Sequence, residues 1–280
     1  MEFEKIGTGA FLALGVGTVL SVALPLGIAL LWKAKKKEPF STIVFGAMTF
    51  LLFAVLLEKP IQALVIAADH PVGRFLNDNP VWLALVAGLF PGVFEETGRL
   101  AVFKTVLKNR KNRETAISHG IGHGGFEVII MLSATYITYI VYAVMINTGT
   151  FGTVIDQVTA QAPEQADALR GLAGQLGALT LADIGLGLLE RVFAVLFHIG
   201  ASILVFYACR DRGRFWLYPL AILLHTAMDC FAGLAQLRVI SLTIPALEAV
   251  IAAIGILTFC GAYFLLYRKD DGPAIENNMK

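Results

Sequence analysis

Seven long apolar runs are the feature that most constrains how this chain can fold. They cover residues 6–32, 40–57, 81–104, 115–146, 184–209, 214–235 and 240–267. A helix needs about 20 apolar residues to cross the hydrocarbon core of a bilayer. Only 15% of the residues are charged, whereas about a quarter is usual in soluble domains. The sequence therefore predicts an all-α, polytopic transmembrane bundle, formed by a single integral membrane domain over residues 1–280.

Basic residues predict the orientation of the bundle, because Lys and Arg are enriched in cytoplasmic connections. They cluster after the first, third, fifth and seventh runs: Lys33, Lys35, Lys36 and Lys37; Lys104, Lys108, Arg110, Lys111 and Arg113; Arg210, Arg212 and Arg214; Arg268 and Lys269. This pattern predicts an N-terminus outside and a C-terminus inside. Residues 147–183 then form an extracytoplasmic loop, with one or two amphipathic helices that act either as a lid or as a solvated connector.

The remaining composition excludes several classes of protein. The three cysteines, Cys209, Cys230 and Cys260, lie in separate apolar segments without the spacing of a metal or redox motif. We expect no nucleic-acid partner. The lipid bilayer is the expected partner, and a cell membrane, as in a bacterial plasma membrane, is the expected location.

Two adjacent carboxylates, Glu95 and Glu96, lie inside the third run, in the segment 90–99. A charged side chain at the centre of a bilayer costs roughly 2.5–3.5 kcal/mol on insertion scales, so that it needs a partner or a function. Arg99 is four residues after Glu95 and is its expected local partner. That pair accounts for one carboxylate and leaves the other to be explained.

Three later spans carry further ionisable groups. His119, His123 and Glu127 are spaced by four and share one helix face. His198 lies in the fifth span, and the sixth contains His225 and Asp229, again four residues apart. Glycines around His123 leave room for a neighbouring helix to approach closely; they are Gly120, Gly122, Gly124 and Gly125.

The depths of these groups in the membrane agree with one another. Counted at about 1.5 Å per residue, one ionisable side chain in each of four spans lies roughly 12 to 16 Å from the cytoplasmic end. These are Glu95, His123, His198 and His225. The agreement predicts one shared site within a four-helix catalytic core, spans three to six, over residues 81–235. His119 is instead expected at the membrane interface, and Glu190 with Arg191 is expected to be a structural pair or a contact with the lid.

Carboxylates and imidazoles in a water-accessible membrane cavity are suited to hydrolysis. A carboxylate can accept a proton from water, and histidines can stabilise an oxyanion or bind a divalent metal. The GxSxG and HExxH motifs are absent. His123, His198 and His225 are the candidate metal ligands, and zinc is the candidate cofactor.

The glutamate pair followed by Arg99, then a histidine motif and HxxxD on a later helix, resembles the intramembrane proteases of the CAAX-processing and bacteriocin-immunity superfamily. The segment His123-Gly-Gly-Phe-Glu127 is similar, more narrowly, to the YhfC-like membrane peptidases. The resemblance covers about residues 85–235. It implies an endopeptidase that cuts membrane-embedded proteins or membrane-anchored, lipidated peptides, by a glutamic or a metal-dependent mechanism.

The resemblance also implies roles for individual residues. Glu95 would be the base that activates water, with Glu96 as its companion and His123 assisting. His225 and Asp229 would stabilise the oxyanion, and His198 would complete the pocket. This sequence has EExxR where the CAAX enzymes have EExxxR, and Asp229 where many relatives have Asn.

Two other classes of function remain open at the level of the sequence. The spans around His198 and His225 also resemble the anterior-pharynx-defective scaffold subunit of gamma-secretase, which is not itself a protease. Buried Glu and His are also found in proton- or metal-coupled transporters. Retention of both glutamates, His123 and Asp229 favours the enzyme, and no internal repeat of a transporter is visible.

Overall fold

The computed structural model describes residues 3–36, 38–66, 70–161 and 163–270, and within these residues it contains helices and no β-strand. The helices are α1 (Thr8–Lys36), α2 (Phe40–Ile66), α3 (Pro71–Asp78), α4 (Pro80–Lys104), α5 (Glu114–Asn147), α6 (Phe151–Gln161), α7 (Pro163–Ala178), α8 (Leu181–Arg210), α9 (Leu217–Gln236) and α10 (Ile244–Tyr267).

Among the described residues, seven helices are long and apolar enough to cross a membrane: α1, α2, α4, α5, α8, α9 with the turn before it, and α10. The prediction of an all-α bundle with about seven spans is confirmed. The N-out, C-in orientation and the single-domain organisation remain predictions.

Local sequence signals explain where several helices begin and end. Pro80 opens α4, at the position where its missing N–H costs nothing. Thr243 caps α10 by accepting a hydrogen bond from the backbone N–H of Ala246 at 3.4 Å. Gly149, two residues after the end of α5, has φ 77°, the left-handed conformation that commonly follows a helix.

The second span is longer than the sequence suggested. We expected it to end at residue 57, but α2 continues to Ile66 through a π-helical stretch, Phe50–Glu58. The prediction stopped there because Pro60, Pro71 and Pro80 indicated an external loop over residues 58–80. Glu58 therefore lies within a helix rather than in an external loop.

The chain divides into two compact units. The first comprises residues 1–26 and 128–191, and includes α6 and α7. Its core contains Leu14, Phe151 and Ile155. The loop 147–183 thus does contain two helices, with Pro163 at the start of the second. Its assignment as an extracytoplasmic lid remains a prediction.

The second unit comprises residues 27–127 and 192–280, and every predicted site residue lies in it. Its core includes Phe103, Ile203 and Phe206. Glycines allow backbones to meet there: a Cβ on Gly122 would lie 1.9 Å from the carbonyl oxygen of Ile43. A Cβ on Gly120 would lie 2.5 Å from Cα of Ile199, so the expected role of the glycines around His123 is borne out at these positions.

Candidate active site

The central part of α4 carries three charged side chains that are almost completely buried, Glu95, Glu96 and Arg99. Arg99 donates a short hydrogen bond to Oε1 of Glu96, three residues earlier. Its Nη2 atom is 3.9 Å from Oε2 of Glu95. The expected ion pair of Arg99 with Glu95 is therefore present, but Glu96 is the closer partner. Residues three and four apart are both neighbours on a helix, and spacing alone does not choose between them.

Glu95 has a closer partner on α5. Nε2–H of His123 donates a hydrogen bond to Oε2 of Glu95 at 2.8 Å. The ring of Phe50 on α2 packs edge-on against His123, with centroids 5.4 Å apart. Nδ1 of His123 is buried and has no hydrogen-bond partner among the described residues. This atom is therefore available to a group that the protein itself does not supply.

His198 on α8 connects the arginine to a third carboxylate. Nη2 of Arg99 donates to Nδ1 of His198 at 2.6 Å, so that Nε2 of this imidazole carries the hydrogen. Nε2 forms a close contact with Oε2 of Glu127. The rings of His198 and His123 are 5.0 Å apart. His198 thus lies between a fixed positive charge and a partly exposed carboxylate.

His225 on α9 completes the cluster. Its Nδ1–H donates to Oε1 of Glu96 at 2.8 Å, and its Nε2 is 3.4 Å from Oδ2 of Asp229. Phe197 packs against the ring of His225, with centroids 5.0 Å apart. Asp229 is about one-third exposed (33%), whereas Glu96 is fully buried, so the cluster runs from an enclosed end to a more accessible one.

The structure thus brings together all eight predicted site residues. They are Glu95, Glu96, Arg99, His123, Glu127, His198, His225 and Asp229. They come from α4, α5, α8 and α9, the four spans that the sequence analysis selected.

His119 and Glu190 lie outside this cluster. His119 was expected at the membrane interface, but it is fully buried. Its ring nitrogens contact the hydroxyls of Thr49 at 3.1 Å and Ser202 at 3.2 Å. Thr49 donates its own hydrogen to the carbonyl of Phe45, so Nε2 of His119 is the donor to Thr49 and Ser202 donates to Nδ1. Glu190 forms the expected ion pair with Arg191.

Glu58 on α2 is a buried carboxylate that the sequence analysis missed. Its Oε1 accepts from the amino group of Lys59 at 3.0 Å, and its Oε2 is buried without a hydrogen-bond partner in the part of the chain described. It lies within electrostatic range of Glu127 and His225. The sequence did contain a signal, because Glu58 directly follows an apolar run. The position of Glu58 in the fold, however, depends on α2 continuing past residue 57.

One set of side chains has the composition and proximity of a metal site. Glu95, His123 and His198 each offer a donor atom, and these atoms lie within 4.8 Å of one another. Two imidazoles and one carboxylate suit zinc, and catalytic zinc sites commonly have three protein ligands. The set differs from the three histidines expected, since Glu95 takes the place of His225, which is held by Glu96.

The existing contacts of His123 and His198 decide whether their ring nitrogens are free to bind a metal. His123 has a free ring nitrogen, whereas both nitrogens of His198 are engaged, by Arg99 and by Glu127. Binding through His198 therefore requires one of these contacts to be exchanged for the metal. Glu127 is the more exposed of the two partners, with 16% of its side chain accessible, and moves at lower cost than the buried guanidinium. Glu95, His123 and His198 therefore fit a divalent metal, provided that Glu127 gives up its contact with His198.

Comparison with known proteins agrees with this class of site. Residues 20–266 match the model of the YhfC intramembrane metalloprotease family, and the chain belongs to that family. It is 30% identical over 249 residues to the "Uncharacterized membrane protein YhfC" of Bacillus subtilis (strain 168), a match that covers 89% of this chain and 93% of that protein. No solved structure matches it significantly. This chain is a multi-pass membrane protein of the YhfC family.

Proposed function

We propose that this protein is an endopeptidase of a bacterial plasma membrane that hydrolyses peptide bonds in membrane-embedded proteins or membrane-anchored, lipidated peptides. The observation that carries the proposal is the buried group of Glu95, His123 and His198, contributed by three membrane-spanning helices with donor atoms within 4.8 Å. Buried ionisable groups in a membrane are costly, and their convergence on one point is the arrangement expected of a reaction centre.

In hydrolysis, a water molecule attacks the carbonyl carbon of the peptide bond. A proton from this water then moves to the amine, which leaves as the C–N bond breaks. Glu95 is the proposed acceptor of that proton and its donor to the amine. His123 holds the Glu95 carboxylate through the 2.8 Å hydrogen bond. Buried Glu96 orients His225 through Nδ1 and so directs the opposite nitrogen away from α4, towards the more accessible end of the cluster. With both ring nitrogens protonated, His225 donates Nε2–H to the oxyanion, and Asp229, whose Oδ2 is 3.4 Å from Nε2, stabilises the positive charge of the imidazolium.

A divalent metal held by Glu95, His123 and His198 would supply Lewis-acid polarisation of the carbonyl or of the attacking water. Glu95 would then serve as a ligand, and Glu127 would be the carboxylate placed to accept the proton. Glu127 would give up its contact with His198 to the metal and so be released beside the metal, one turn along α5 from His123. The two forms of the mechanism therefore differ in which glutamate moves the proton, and they share the same side chains.

Metal content tests the metal-dependent form without a substrate. The wild-type protein, purified in detergent and equilibrated with zinc, is expected to hold about one zinc ion per chain. The variant His123→Ala should lose most of it, because one of three donors is removed. Elemental mass spectrometry on protein freed of unbound metal gives the ratio.

The matched control for this experiment is His70→Ala. His70 lies at the start of α3, where it contacts backbone groups of Leu64 and Gly73 and none of the site residues. The His70→Ala variant should have the same zinc content as the wild type. Equal zinc in wild type and His123→Ala, or none in the folded wild type, would contradict the metal-dependent form.

A further inference from the structure

We infer that a cavity at the end of α4 binds the phosphate group of an anionic phospholipid. The cavity has a volume of about 140 Å³ and lies between the end of α4, the following turn and the end of α8. Five of its lining side chains are cationic: Lys104, Lys108, Arg110, Lys111 and Arg210. This site is separate from the histidine cluster and does not depend on the proposed proteolysis.

The protein neutralises only part of this charge. Arg110 lies 4.0 Å from the buried carboxylate of Glu38, and Arg210 donates to Oδ2 of Asp270 at 2.6 Å. The three lysines have no carboxylate partner among the described residues. The amino nitrogen of Lys104 lies over the ring of Phe215, 4.9 Å from its centroid. The cavity therefore has an excess of positive charge.

The floor of the cavity distinguishes it from an ordinary basic surface. Phe103, Leu107 and Phe206 line it, and each is at least 95% buried. A concave surface with an apolar floor and a cationic rim suits a phosphodiester and the glycerol carbons beside it. The volume of about 140 Å³ exceeds the space of one water molecule, about 30 Å³ in the liquid, several-fold.

The position of the cavity along the membrane normal favours a lipid over free phosphate as the source of the phosphate group. Lys104 and Arg210 are the last residues of two membrane-spanning helices. The ends of such helices lie where hydrocarbon gives way to headgroups, and basic pockets between helices at that level bind anionic lipid headgroups. A phospholipid can therefore place its phosphate group in the cavity while its acyl chains stay buried in the hydrocarbon core.

Native mass spectrometry of the full-length protein in non-ionic detergent tests the inference, with phosphatidylglycerol and phosphatidylcholine as the two probes. The wild-type protein should bind its first phosphatidylglycerol about a hundredfold more tightly than phosphatidylcholine, since each of the three lysines adds about fivefold in affinity. The triple variant Lys104→Gln, Lys108→Gln, Lys111→Gln should lose that preference. Its thermal unfolding midpoint without lipid should match the wild type, because these lysines are exposed.

The control variant carries Lys33→Gln, Lys35→Gln and Lys36→Gln, which removes the same charge from the last turn of α1. It should keep the preference for phosphatidylglycerol, because none of these lysines lines the cavity. Equal loss in both triple variants would overturn the inference in favour of diffuse surface charge. Absence of any preference in the wild type would also overturn it. Displacement of phosphatidylglycerol by equimolar inorganic phosphate would assign the cavity to free phosphate instead.

Discussion

The variant Glu95→Gln is expected to lose peptide hydrolysis by about 10²- to 10⁴-fold, the range that general acid–base catalysis contributes. Gln keeps the size of the side chain and an oxygen that accepts from His123, but it neither takes up a proton nor provides a charged metal ligand. Activity should fall whether Glu95 acts as the base or as a ligand. The measurement is the yield of new peptide N-termini in membranes of cells that make each variant, by isotope-labelled mass spectrometry.

The matched control for Glu95→Gln is Glu190→Gln. Glu190 is also a glutamate in a spanning helix, paired with its neighbour Arg191 and outside the candidate site. Cleavage should remain close to that of the wild type. Unchanged cleavage in Glu95→Gln would exclude this residue from the chemistry. Retention of zinc in Glu95→Gln together with loss of cleavage would identify Glu95 as the base rather than a ligand.

The variant Arg99→Met is expected to lower the free energy of unfolding by about 3–5 kcal/mol, the usual cost of removing one partner from a buried ion pair. Arg99 is fully buried and bonds both Glu96 and His198. Methionine fills most of the volume but leaves the Glu96 carboxylate without its cation. The midpoint of thermal unfolding in detergent, followed by tryptophan fluorescence, measures the loss.

Two further variants separate the effect of charge from that of packing. Adding Glu96→Gln to Arg99→Met removes the uncompensated carboxylate and should restore part of the stability, as a double-mutant cycle detects. Arg214→Met breaks an ion pair with Asp211 in which both side chains are about half exposed, so it should cost at most about 1 kcal/mol. A loss as small as this in Arg99→Met would refute the structural role given to Arg99.

The sequence was sufficient to predict seven spans and the proximity of eight ionisable side chains, because charged groups in hydrocarbon are costly and need partners. Apolar runs of fixed length locate the helices. Ionisable groups such as Glu95 and His123 stand out because hydrocarbon penalises them unless they meet a partner. Equal depth along four helices then indicates a common level, which the side-chain contacts of the structure bear out.

The pairing of these groups was not predictable, because it depends on how each helix is rotated about its axis. Spacing allowed Arg99 to meet either Glu95 or Glu96, and the contact to His198 on another helix accompanies the second choice. The burial of His119 was not predictable for a related reason: two hydroxyls on other helices bind its ring, and the sequence of its own helix does not indicate them. Glu58 was missed because the prolines that follow it indicated a loop, whereas the helix continues.

The most direct test of the central claim is whether the purified, zinc-equilibrated protein itself cuts a polypeptide inside the bilayer. The protein would be reconstituted into liposomes with a bacterial membrane-protein fraction, and new N-termini would be mapped with and without a zinc chelator. We expect cuts within apolar, membrane-spanning segments. These cuts should disappear in Glu95→Gln, and also with the chelator if the metal-dependent form holds. A folded protein that makes no cut, or that cuts only in water-exposed loops, would contradict the account and favour the scaffold alternative.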